Sequence, residues 1–155
     1  MKPITFSCSD IIDISSDEIA QQILNLANWS DFKGFGVLPG IKMAEFEVRT
    51  PEIVGSRIKV IDTNGSSHAE EIVEWQTDRR LRVHMKEFSP PLSRLATDFE
   101  ETWDFEPSDS GTKVIRSFKL YAKSALTRPL LWLISILLKK AIARHLEQMT
   151  RAGLR

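Results

Sequence analysis

The sequence predicts an α+β domain in which one antiparallel sheet of seven strands packs against a long C-terminal helix. From about Lys42 to Tyr121, apolar and polar residues alternate with a period of two, as they do in strands with one buried face. Turn sequences divide this stretch into consecutive hairpins, which makes the sheet antiparallel. A helical pattern follows from about Thr127 to Arg151, and no other predicted element is long enough to cover the sheet.

The composition fits a single domain and excludes several classes of protein. The 155 residues are 42% hydrophobic and 27% charged, which is typical of a globular chain. Lys+Arg and Asp+Glu both number 21, so no overall field attracts nucleic acid. Cys8 is the one cysteine, which excludes an intramolecular disulfide and a cysteine-based metal site. The first residues lack the apolar run of a signal peptide, and we expect residues 1–155 to form one cytoplasmic domain.

One strand and two short helices precede the main run of strands. The segment from Ile4 to Ile14 begins with strict alternation and predicts the first strand. Ser15 and Glu18 have the spacing of a capping box, which predicts that a helix begins there. Trp29 to Phe32 predicts a second short helix. The glycines and proline between residues 34 and 40 predict a loop.

The dipeptide Asn64–Gly65 predicts a β-hairpin, because both residues tolerate the positive φ of a two-residue type I′ turn. In the resulting register Lys59 lies opposite Glu70, which is an opposite-charge pair across two strands. The same register places Glu71 beside Val60 on the inner face of the sheet.

The last hairpin places two charged residues on the inner face. A slip of one residue would turn every aromatic side chain of this hairpin outward, so few registers are allowed. In those registers Glu101 and Arg116 are directly opposite or diagonal, and both point inward. With the helix, the predicted ligand-binding residues are Trp75, Met85, Phe99, Glu101, Trp103, Arg116, Phe118, Leu138 and Ile142.

Three roles remain open for the inward charges. Glu101 and Arg116 could form a satisfied internal ion pair, because buried charges need partners. They could instead orient a polar group on an otherwise apolar ligand. A third role is general acid or base chemistry by Glu71 or Glu101, since an apolar cavity raises the pKa of a carboxyl group.

The histidines do not predict a metal site. His68, His84 and His145 lie on three separate predicted elements, and the first two are expected on the outer face of the sheet. No cluster of His, Asp or Glu has the spacing of metal ligands, and we expect no cofactor.

The stretch from Leu130 to Leu138 is apolar around the whole helix. It is too short to span a bilayer, which takes roughly 20 residues. The short helices and the loop around Phe35 could cover its second side. A homodimer contact or ligand gate is the next alternative. The third is docking on a membrane surface, with Trp132 at the interface and Lys139 near the headgroups.

The order of elements and several local sequences resemble the START-like (SRPBCC) superfamily, and within it the polyketide cyclase/dehydrase-like proteins. The matching sequences are Trp29–Phe32, Val54–Ile58, Glu71–Trp75 and Asp78–Leu81, together with the C-terminal amphipathic helix. The resemblance implies a helix-grip fold, in which a curved sheet wraps around the long helix and leaves an apolar cavity. Members bind lipids, polyketides or other hydrophobic ligands, and some catalyse cyclisation or dehydration. The family shares no catalytic motif that could be transferred to a residue here.

These observations favour a protein that binds a hydrophobic small molecule between its sheet and its C-terminal helix. One alternative is a cyclase or dehydratase that uses a cavity carboxylate, so the sequence leaves open whether the protein is an enzyme. The other is a module that docks on a membrane or a second protein through the apolar first half of the helix.

Overall fold

The computed structural model describes residues 1–153, of which the last three are described by their backbone alone. It confirms the α+β helix-grip architecture: the described residues form one curved antiparallel sheet of seven strands and a long C-terminal helix. The helices are α1 (Ser16–Leu24) and α2 (Arg128–Gly153), and short 3₁₀ helices lie at Leu26–Asp31 and Leu92–Arg94. The strands are β1 (Ile4–Ile12), β2 (Ile41–Val48), β3 (Arg57–Asp62), β4 (Ser67–Gln76), β5 (Arg80–Lys86), β6 (Ala96–Ser108) and β7 (Gly111–Ala122).

The sheet follows the chain from β2 to β7, and β1 joins as an edge strand beside β7. The two predicted short helices after β1 are α1 and the first 3₁₀ helix. Ser15 caps α1 by accepting a hydrogen bond from the Glu18 backbone N–H at 3.2 Å. The indole N–H of Trp29 donates to the Ile23 carbonyl at 2.8 Å and ties the 3₁₀ helix to α1.

The turn between β3 and β4 differs from the predicted type I′ turn. The Gly65 N–H donates to the Asp62 carbonyl at 3.0 Å, and Gly65 has a φ of 88°. Asn64 does not share that positive φ. This geometry is a three-residue loop, a type I turn followed by a glycine bulge, and it contains one residue more than the predicted turn.

The extra residue shifts the register of β3 against β4 by one position. Glu70 pairs with Ile58, whereas Glu71 pairs with Arg57. The prediction that Glu71 faces inward is therefore wrong, because a slip of one residue moves each side chain to the opposite face. Glu71 lies outside and accepts a hydrogen bond from Lys86 Nζ at 3.0 Å. The predicted pair between residues 59 and 70 does not form.

The core divides into regions that leave a space between them. Leu131, Leu138 and Ile142 of α2 pack with Phe99 and Phe118 of the sheet. The C-terminal half of α2 packs with α1 in a second cluster, and a third cluster lies beneath the 3₁₀ helix. Because α2 lies mainly against β1 and β7, it leaves much of the inner face over β3 to β6 uncovered.

Candidate functional site

A cavity of about 860 Å³ lies between the inner face of the sheet and α2. It contains eight of the nine residues predicted to bind a ligand. These are Met85, Phe99, Glu101, Trp103, Arg116 and Phe118 from the sheet, with Leu138 and Ile142 from α2. The structure therefore brings together side chains that lie up to 57 positions apart in the sequence, between residues 85 and 142. Their contact with a ligand stays a prediction.

Trp75 is the predicted residue that does not line the cavity. A bulge between Ile72 and Glu74 offsets the shifted register, so Trp75 pairs with the buried Leu81 and lies on the inner side of the sheet. There it packs against the core beneath α1, which includes Ile19. Trp75 therefore lies on the inner face of the sheet, as predicted, but it packs in the core outside the cavity.

An ion pair forms one wall of the cavity. Arg116 donates from Nε and Nη2 to Glu101 Oε2 at 2.7 and 2.5 Å, and each residue is only 5% exposed. Glu101 pairs with Phe118 and Arg116 with Trp103 in the ladder, so the two charges lie on a diagonal. The guanidinium also lies 4.1 Å above the Trp103 ring, which adds a cation–π contact.

Two opposing effects act on the Glu101 carboxylate, and burial is the larger, so its pKa is raised overall. Burial raises the pKa of Glu101, whereas the charge and hydrogen bonds of Arg116 lower that pKa and oppose the rise. Every buried side-chain nitrogen and oxygen among residues 1–150 has a hydrogen-bond partner. The pair is therefore internally satisfied, and breaking it would leave an uncompensated buried charge.

His145 extends this polar group onto α2. Its Nδ1 lies 2.9 Å from Arg116 Nη1, and its ring packs edge-on against Phe32 with centroids 5.9 Å apart. Burial and the positive charge of Arg116 lower the pKa of His145 to about 3. The imidazole is neutral at physiological pH and lines the cavity.

A second polar group lies on the opposite side of the cavity, and sequence reasoning missed it. His68 Nε2 is 2.8 Å from Glu70 Oε2, and Asp62 lies nearby on β3. Burial alone would lower the pKa of His68, but the hydrogen bond and charge of Glu70 raise it overall. Burial raises the pKa of Asp62.

The prediction that His68 faces outward is wrong for the same reason as that for Glu71. A reading of Asn64–Gly65 as a type I turn with a glycine bulge would have placed His68 and Glu70 inside. His84 does lie on the outer face, where its Nε2 is 3.0 Å from Asp98 Oδ2. No group of three or more potential metal ligands occurs among the described residues.

The loop between residues 33 and 40 forms part of the rim of the cavity. Phe35 and Leu38 exchange two backbone hydrogen bonds of 3.0 Å, which close a tight turn. Gly34 has a φ of 73°, and a Cβ there would lie 2.2 Å from the Leu38 carbonyl oxygen. Glycine is required at this position. Val37 lines the cavity yet is 89% exposed, which places it at the mouth.

Removing Arg116 should cost far more stability than removing an exposed arginine. We expect Arg116→Leu to lower the free energy of unfolding by about 3–5 kcal/mol, because Glu101 would remain buried without a partner. The double variant Glu101→Leu/Arg116→Leu should recover most of that loss. Urea unfolding measures all three proteins.

Arg80→Leu is the matched control, because its ion pair with Asp104 is partly exposed to water and contributes far less to stability than a buried pair. A double variant no more stable than Arg116→Leu would contradict the account of the ion pair.

The low pKa of His145 predicts an acid-dependent loss of stability. The unfolded chain takes up a proton near pH 6.5, whereas the folded chain does so only near pH 3, so acid favours unfolding between these values. Arg116 is the charged group that faces the ring. Relative to His145→Gln, the wild-type protein should lose up to about 1.4 kcal/mol of unfolding free energy per pH unit below 6.5. Urea unfolding at several pH values tests this, and parallel stability curves would refute it.

Comparisons with known proteins agree with this geometry. The model of the family described as "Polyketide cyclase / dehydrase and lipid transport" matches residues 3–153. A START superfamily protein from Mycobacterium smegmatis superposes with a TM-score of 0.72 at 11% identity, covering 96% of this chain and 97% of that one. A protein from Thermus thermophilus has the same TM-score at 17% identity, covering 97% of each chain.

A plant protein shares the fold as well. Ginseng major latex-like protein 151 from Panax ginseng superposes with a TM-score of 0.68 at 14% identity, covering 97% of this chain and 99% of that one. At such low identities these structures show a common fold and nothing about a shared ligand. A search of curated proteins found no match.

Proposed function

The chain belongs to the polyketide cyclase/dehydrase and lipid transport family, and we propose that it binds a lipid, a polyketide or a related hydrophobic molecule between the sheet and α2. The supporting observation is the cavity of about 860 Å³, which is within the range of small-molecule sites. Its walls are aromatic and aliphatic side chains interrupted by a few fixed polar groups. That combination suits a mostly apolar guest with one or two oxygen or nitrogen atoms.

A bulky residue on the cavity side of α2 should block binding. Ile134 lines the cavity, whereas Ile136, two positions later, is exposed on the outer side of the same helix. We expect Ile134→Trp to weaken binding of the apolar dye Nile red by about tenfold or more, because the indole occupies the volume that the dye needs. Fluorescence titration measures the affinity.

Ile136→Trp is the matched control and should bind the dye as the wild-type protein does. Circular dichroism establishes that both variants are folded. Equal dye affinity in the two variants would contradict binding inside the cavity.

Catalysis has weaker support than binding. Of the two carboxylates predicted to act as acid or base, Glu71 lies outside the cavity and Glu101 is held by Arg116. The His68–Glu70 pair is a further candidate for proton transfer, and no reaction is assigned to it.

The exposed apolar side of α2 favours a second role, docking on an anionic membrane surface. We call this surface the helix patch. Leu130, Trp132, Leu133 and Ile136 form it, and each is between 37% and 52% exposed. Contiguous exposed apolar patches on soluble proteins often mark sites that bind a protein or a membrane. No helix in the described part of the chain is long and apolar enough to cross a membrane.

Charge supports a membrane with anionic lipids as the partner of the helix patch. Apart from the buried Arg116, residues 110 to 146 contain seven Lys and Arg and no Asp or Glu, although the whole chain is neutral. Lys139, Lys140 and Arg144 are exposed directly after the helix patch on α2. Apolar side chains followed by cations are typical of helices that lie in the headgroup region.

The helix patch and part of the cavity lining lie on the same turns of α2. Ile134 and Leu137 line the cavity from the same helical turns that expose Leu133 and Ile136.

Sedimentation with vesicles tests the docking role. We expect the protein to bind phosphatidylcholine vesicles that contain 30% phosphatidylserine and to lose at least tenfold in affinity in the Trp132→Glu/Leu133→Glu variant. Val48→Glu, at an exposed valine on strand β2, is the control and should leave binding intact. Absence of vesicle binding overturns the proposal. A second outcome also overturns it: the wild-type protein runs as a dimer in size-exclusion chromatography, the double variant runs as a monomer, and neither binds vesicles.

A further inference from the structure

The hydrogen bond between Arg116 and His145 fixes which imidazole nitrogen carries the proton. Arg116 Nη1 lies 2.9 Å from His145 Nδ1, and a guanidinium has donors but no acceptor. Nδ1 must therefore accept. Because the imidazole is neutral, its proton resides on Nε2.

The Nε2–H group of His145 has no acceptor among the described residues of the protein. Every buried side-chain nitrogen and oxygen in residues 1–150 has a partner, so an unpartnered Nε2 must be reached by the cavity that the residue lines. The ring cannot easily turn away, because Arg116 holds Nδ1 and Phe32 packs against it edge-on. The cavity thus contains a fixed, neutral hydrogen-bond donor.

The charges around the cavity disfavour an anionic guest. Among residues 1–150, four carboxylates line the cavity, whereas the lining cations are one lysine and one arginine, together with His68 when it is protonated. The charge of Arg116 is already neutralised by Glu101. A carboxylate on the guest would meet net negative charge, and Lys33, which has no carboxylate partner among the described side chains, is an exposed residue whose Nζ donates to the Ser30 carbonyl at 2.9 Å. The lining carboxylates are Asp31, Asp62, Glu70 and Glu101, and the cations are Lys33 and Arg116.

We propose that His145 Nε2–H donates to a neutral oxygen acceptor of the guest, so that the ligands are uncharged apolar molecules with a carbonyl, ether or hydroxyl oxygen. This inference rests on the proposed binding function and narrows its ligand class. Fatty-acid carboxylates are excluded from the preferred ligands, whereas ketones, esters and alcohols on a hydrocarbon or polyketide frame are included.

Three related probes test the ligand class. They are the fluorescent ketone prodan, its analogue with a methylene in place of the carbonyl, and the naphthalene carboxylate of the same frame. The wild-type protein should bind the ketone about fivefold to tenfold tighter than the methylene analogue, which is the effect of one net hydrogen bond. The carboxylate should bind more weakly than the ketone.

Substitution of His145 tests the donor. In His145→Phe the ratio of ketone to methylene affinities should fall to about one. His84→Phe, on the outer face of the sheet, is the control and should keep the wild-type ratio. A ratio unchanged in His145→Phe, or a carboxylate bound as tightly as the ketone, overturns the inference.

The affinities of the two neutral probes distinguish a failure of this inference from a failure of the proposed binding function. Failure of both neutral probes to bind overturns the proposed function itself, whereas equal binding of both overturns only the role of His145. Nitrogen-15 NMR of the wild-type imidazole needs no variant. It should show the proton on Nε2, and a proton on Nδ1 would refute the inference.

Discussion

One helix is too narrow to cover a seven-stranded sheet, and the other features of this structure depend on that mismatch. Strands spaced about 4.8 Å apart make a sheet roughly 30 Å wide, whereas a helix with its side chains is about 10–12 Å across. Helix α2 lies mainly along β1 and β7 at one side of the sheet. The inner face of the remaining strands is left to α1, the 3₁₀ helix, the rim loop and the cavity.

Polar groups inside this space are tolerated because the protein pairs them with each other. Arg116 contacts Glu101, His145 and the face of Trp103, and these contacts offset the cost of burying its charge. The same contacts leave His145 Nε2 as a donor aimed at the cavity. A satisfied internal ion pair and a site for a ligand oxygen are therefore compatible, because Arg116, which pairs with Glu101, also holds the His145 ring in place.

The order of elements and the faces of the last hairpin could be predicted from the sequence, because the aromatic residues of β6 and β7 permit few registers. Asn64–Gly65 could not be assigned in this way. The dipeptide fits both a type I′ turn and a type I turn with a glycine bulge, and the single residue between them moves His68 and Glu70 inside and Glu71 outside. Trp75 kept its face only because a bulge in β4 offset that slip. The volume of the cavity depends on how α2 sits on the sheet, which no periodicity in the sequence encodes.

The central claim is that an apolar guest occupies the space between the sheet and α2. NMR measurement of intermolecular NOEs between bound prodan and the methyl and ring protons of the protein tests it most directly. The account predicts NOEs to the rings of Phe99 and Phe118 and to the methyl groups of Ile142, all of which line the cavity. NOEs confined to the exposed methyl groups of Leu130 and Leu133 would contradict it.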